Sequence, residues 1–107
     1  MDTPQPLVVG AAWYRENQWE RLKEVSADRD RLEETWAEWL CVAEKGIRDC
    51  RARGLDVKKV DVDIEELVRW CQTKGQPVNG ESRSAFAAQK LLDRGQKRGR
   101  KSKRRRR

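Results

Sequence analysis

Apolar positions along this chain recur at helical spacing in three stretches and lose it in a fourth. The strongest pattern covers 28–53. Leu32, Trp36, Trp39, Ala43, Ile47 and Cys50 are spaced 4, 3, 4, 4 and 3, a single stripe at the helical period. Asp28, Asp30, Glu33 and Glu34 crowd the first turns and Arg48, Arg51 and Arg53 the last, signs that suit the helix dipole. Asp30 with Glu33 reads as a capping box with Asp in the Ser/Thr place. Glu44–Arg48 and Asp49–Arg53 are i,i+4 pairs in the favourable order, and Gly54 is the expected residue just past the helix. The pattern predicts one helix about 40 Å long, which needs partner helices to cover its stripe.

Around it the signals are shorter. Residues 1–10 contain Pro4 and Pro6 and read as an extended arm, which Leu7, Val8 and Val9 could pin to the body. Trp19, Leu22 and Val25 predict a first helix over 11–25. Residues 55–62 lose the helical period, and Val57, Val60 and Val62 predict a short strand. A lone strand needs a partner, either the Leu7–Val9 arm or a second chain. Asp63 and Glu66 open a helix over 63–74, with Ile64, Leu67, Val68 and Cys71 on one face and Trp70 broadening it. Gly75 ends it and Pro77 follows. After the turn QPVNG, Ala85, Ala88, Gln89 and Leu92 form one face of a helix over 81–94, with Phe86 and Leu91 beside it and Gly95 as its stop. The predicted fold is mainly α. It is a small bundle of three to four helices with one long helix, at most one short β-strand, and a disordered basic C-terminal tail. Its parts are an extended arm (1–10), a helical domain (11–94) and a Lys/Arg-rich tail (95–107).

Charge changes that picture. The chain has 107 residues and a net charge of +7, one domain's worth at most. Residues 1–93 carry 15 Lys and Arg against 18 Asp and Glu, a net −3. Residues 94–107 carry ten Lys and Arg and no acid. An acidic body therefore ends in a basic tail. Lys97, Arg98, Arg100, Lys101, Lys103, Arg104, Arg105, Arg106 and Arg107 place nine cations within eleven residues. Phosphate backbones attract such arrays through counterion release, which needs charge density and no fixed geometry. No aromatic residue interleaves the tail, so base stacking and sequence preference are not expected from it. Like charges and the lack of apolar residues predict disorder in isolation.

Other chemistry is thin. The chain has no histidine, and it carries no phosphate loop and no nucleophile elbow. The sequence therefore excludes imidazole chemistry and argues against an enzyme. Cys41, Cys50 and Cys71 are an odd number without a C-x-x-C pair, which points to a reducing compartment. The acidic run Asp61, Asp63, Glu65 and Glu66 lacks a calcium loop, so no metal and no cofactor is expected. Asp2 stands where a signal peptide carries positive charge, and the apolar stretch is interrupted by Gly10. No run is long enough to span a membrane. The expected setting is cytoplasmic, without membrane contact.

Three functional readings remain. The first is a non-enzymatic accessory protein whose helical body docks on a partner. Its tail would bind nucleic acid, DNA or RNA, or another polyanion, without sequence preference. The second is a protein-interaction or oligomeric module, a homodimer for example, with the tail incidental. Trp13 and Trp70, the tryptophans least committed to a helical stripe, are its candidate interface. The third is a small helix-turn-helix-like DNA-binding regulator using 63–94, with Asn79, Ser82, Arg83, Ser84, Gln89 and Lys90 as reading residues.

Overall fold

The structure is a computed structural model that describes the backbone of residues 8–105 and the side chains of 8–94. It is mostly helical, with four α-helices and one two-stranded parallel sheet. Strand β1 (Val8–Trp13) leads through a 3-10 turn (Glu16–Gln18) into α1 (Trp19–Val25). A second 3-10 turn (Arg29–Arg31) precedes α2 (Trp36–Ala52). Strand β2 (Asp56–Asp61), α3 (Ile64–Lys74) and α4 (Gly80–Arg105) complete the chain. β1 pairs with β2 in parallel, from Val8 opposite Asp56 to Trp13 opposite Asp61.

Both faces of the sheet are covered. On one, Val9, Ala11, Trp13 and Val57 face Ala43, Gly46, Ile47 and Cys50 of α2. On the other lies α4, so close that a Cβ on Gly10 would sit 3.3 Å from the Ala87 carbonyl oxygen and 3.4 Å from Val60 Cγ2. The result is three layers, α2 over the sheet over α4. It also explains the spacing of the valines in β2. Val57 and Val60 point to opposite faces, and both are buried because both faces are packed.

Aromatic rings fill the space where β1 ends. Trp39 lies 5.0 Å from Trp13, 5.1 Å from Tyr14 and 5.6 Å from Trp19, centroid to centroid. The polar edges find partners, as buried indoles require. Trp19 Nε1 donates to the Glu33 carbonyl at 3.2 Å, and Trp36 Nε1 to the Tyr14 carbonyl at 2.9 Å. The core continues through Leu22, Val62, Ile64, Leu67, Cys71, Val78 and Phe86.

Several expectations change. The segment expected to begin a helix at residue 11 is strand up to Trp13, and the helix starts only at Trp19. The sheet therefore has two strands where at most one was expected. The partner of 55–62 is the arm of the same chain, although residues 1–7 lie outside the described residues. The expected helix over 28–53 is broken. Its first part is a 3-10 turn followed by extended chain, and α2 spans 17 residues, about 26 Å. The cap is Thr35, not Asp30. Thr35 Oγ1 accepts from the Glu38 N–H at 3.2 Å, and Glu38 Oε1 accepts from the Thr35 N–H at 3.1 Å. At the other end Gly54 adopts φ +92°, and Lys45–Asp49 is an i,i+4 pair at 3.8 Å.

The cap of α3 is as expected, with Asp63 accepting from the Glu66 N–H at 3.1 Å and Gly75 at φ +66°. α4 differs. The helix expected to stop at Gly95 continues to Arg105. Its length, 26 residues, makes it the longest helix among those described. Lys, Arg and Gln are good helix formers, and extending an existing helix is far cheaper than nucleating one.

Candidate nucleic-acid interface

The tail cations sort by position on α4. Its first half packs on the sheet and on α3, with Phe86 and Ala87 fully buried. Burial then fades. Leu91 is half-buried, and Leu92 and Arg94 are exposed. Lys97, Arg98, Arg100, Lys101, Lys103, Arg104 and Arg105 follow on the last three turns of the helix. Arg106 and Arg107 lie outside the described residues. The sequence thus divides one helix into a packed segment and a cationic one.

Of the residues of the helix-turn-helix reading, Ser84 is exposed, and the other five are engaged within the chain. Asn79 and Ser82 cap α4 reciprocally. The Ser82 N–H donates to Asn79 Oδ1 and the Asn79 N–H to Ser82 Oγ, both at 2.9 Å. Arg83 is only 8% exposed. Its guanidinium forks onto both oxygens of Asp28 at 2.9 Å and reaches Ser26 Oγ at 3.2 Å. That hydrogen bonding holds the Asp28 carboxyl below the usual carboxylate range. For Arg83 itself burial is the largest single influence and opposes the charge, but Asp28 and Tyr14 together outweigh it and the net shift is upward. Burial pushes the neighbouring Tyr14 hydroxyl up to about 12. Gln89 donates to Asp93 at 3.1 Å, and Lys90 to Glu66 at 2.9 Å. Arg83 is thus buried and occupied, the opposite of a base-reading side chain.

Trp13 and Trp70 are both half-buried. Trp13 stands edge-on to Trp39 and carries Lys59 Nζ 4.4 Å from its centroid. Trp70 stands edge-on to Phe86 at 5.4 Å and carries Lys74 Nζ at 5.2 Å. In each pair one side of the indole meets the core and a lysine stands over the ring. Cation–π contacts of this kind contribute about 0.5–1 kcal/mol at exposed sites.

Two clefts flank α2, and neither is apparent from the sequence. An apolar cleft of about 250 Å³ lies between α2 and β1, lined by Val9, Ala11, Trp13, Ala43, Gly46 and Cys50 among others. A polar one of about 250 Å³ lies toward β2, lined by Glu44, Arg48, Arg51 and Lys59. Ile47 stands between them, contributing to both. The cations of the polar cleft have local duties, since Arg51 donates to the Val57 carbonyl at 2.9 Å and Lys59 stands over Trp13. Only the parity of strands still unknown would have located either cleft.

Cys41 is exposed, Cys50 half-buried and Cys71 buried, and all three are free thiols. Among the described residues no three acidic or thiol side chains cluster as a metal site would, and no helix is long and apolar enough to cross a membrane. Comparison with protein-family models, with curated proteins and with solved structures finds no match to this chain.

Proposed function

We propose that this chain is a non-enzymatic accessory protein whose C-terminal cations bind nucleic-acid backbones without sequence preference, while the folded body docks on a partner. One observation carries the reading. Ten cations and no acid are gathered in residues 94–107, beyond the packed half of α4, on a body of net −3. A chain needing only solubility gains nothing from that segregation, whereas a phosphate backbone rewards charge density directly. The three free thiols support a reducing, cytoplasmic setting. The burial of Arg83 weighs against groove reading by α3 and α4.

The test is fluorescence anisotropy on labelled duplex DNA and single-stranded RNA, with the full chain and with residues 1–94. If about six to eight tail cations contact duplex phosphates, log K against log salt has a slope of about −5 to −7. Truncation removes the binding. Equal binding by residues 1–94, or no binding by the full chain at low salt, overturns the proposal.

A further inference from the structure

The cleft toward β2 gathers charge that the fold leaves uncompensated. Arg48 and Arg51 stand one turn apart on α2, and Lys59 faces them from β2. Lys59 reaches this face because it shares the parity of Val57, which faces α2. Glu44, one turn before Arg48, is the cleft's single acid. Three cations less one carboxylate leave a formal charge of +2, on a body of net −3.

Nearby cations on the same two elements are paired, Lys45 with Asp49 and Lys58 with Asp56, both at 3.8 Å. The cations of the cleft are not. The i,i+4 pair expected between Glu44 and Arg48 does not form, and among the described residues neither side chain makes another ion pair. Arg51 and Lys59 are held by groups that carry no charge. Arg51 donates through Nη2 to the Val57 carbonyl at 2.9 Å. That bond fixes the guanidinium and leaves four of its five N–H donors. Lys59 Nζ stands 4.4 Å from the Trp13 centroid, a contact that orients an ammonium without neutralising it.

Like charges on the wall of a cleft focus its field, which draws in a counter-ion. Arg48, Arg51 and Lys59 are exposed, so an anion has free entry to the 250 Å³ between them. The donor set selects among anions. A carboxylate engages one guanidinium fork with its two oxygens. A phosphate has oxygens for two guanidiniums and an ammonium at once, and its dianion matches the charge of the cleft. We infer that this cleft binds a phosphate group. Arg48 and Arg51 supply forked N–H donors and Lys59 a point charge, while Glu44 repels the anion and limits its affinity. The site lies on the body and does not depend on the tail binding nucleic acid. Two sources offer such a group, a small phosphate compound and a nucleic-acid backbone, and the experiment separates them.

The test is a titration of the full chain with inorganic phosphate, followed by the arginine Nε–Hε signals in ¹H–¹⁵N NMR spectra. Sodium chloride at matched ionic strength is the reference. The Arg48 and Arg51 signals should move to saturation with half-effect at about 1 mM, and chloride should leave them in place. Arg48→Gln removes a side chain that has no ion pair to lose, and should weaken binding at least about tenfold. Glu44→Gln should tighten binding by about threefold or more, a gain that damage to the fold cannot produce. Asp30→Asn removes an exposed acid outside the cleft and should leave the affinity unchanged. Duplex DNA then identifies the source. A backbone phosphate in the cleft moves the same two signals, whereas a site for small compounds leaves them in place, and either result keeps the site. Equal movement in chloride, or no saturation by about 20 mM phosphate, overturns the inference. So does wild-type affinity in both Arg48→Gln and Glu44→Gln.

Discussion

Arg83 binds three parts of the chain together from a single position. It sits in the first turns of α4, and its guanidinium holds Asp28 and Ser26, while Asp28 also accepts from the Gly80 N–H at 3.0 Å. The side chains of Arg83 and Asp28 are 10% and 20% exposed, so the pair is shielded but not dry. Arg83→Ala strands a carboxylate in that setting. Breaking a fully buried pair costs about 3–5 kcal/mol, and about 2–3 is expected here given the partial exposure. Urea denaturation at pH 7 measures it. The acid limb carries the same signature. Asp28 has a depressed folded pKa, so its contribution is full above the unfolded value of about 3.9 and is lost as pH falls through the folded value. Wild-type stability should drop below about pH 4, and Arg83→Ala should show a shallower drop. None of this was legible beforehand. A charged residue is by default a surface residue, and nothing local to Arg83 signals a partner 55 positions earlier. The reverse holds for Asp63 and Gly75, whose roles depend on neighbours within a few residues and could be read directly.

At the scale of elements, what could be read depended on whether the deciding interaction was local. β2 and α3 are found from their own residues, β-branched valines in one and a D-x-x-E start in the other. β1 is not, because packing on both faces removes the alternation that marks a half-buried strand, and a run of small apolar residues fits helix equally well. The start of α2 was misplaced for a related reason. Leu32 continues the stripe in spacing but belongs to the extended chain before the helix. Two acceptable caps, Asp30 and Thr35, then competed, and tertiary packing chose the later one. Thr35→Ala should therefore cost about 1 kcal/mol, the usual worth of such a cap. Asp30→Ala should stay within about 0.5 kcal/mol. Thermal unfolding of the two variants side by side decides it, and a larger loss from Asp30→Ala would place the helix start where the apolar stripe alone had put it.

For the whole molecule, what matters is where the charge lies. Residues 1–93 carry a net −3, and residues 94–107 carry ten cations and no acid. Counterion release counts the phosphates neutralised, and each contributes about 0.9 to the slope of log K against log salt on duplex DNA. Replacing Arg104, Arg105, Arg106 and Arg107 by Gln takes away four of the ten cations, so the slope should become shallower by up to about 4. Lys45→Gln and Lys58→Gln remove exposed cations of the body and should leave the slope unchanged. Fluorescence anisotropy titrations over a range of salt concentrations measure both variants against the wild type. A slope that falls with the body lysines and not with the tail arginines would mean that the folded body, and not the tail, meets the phosphates.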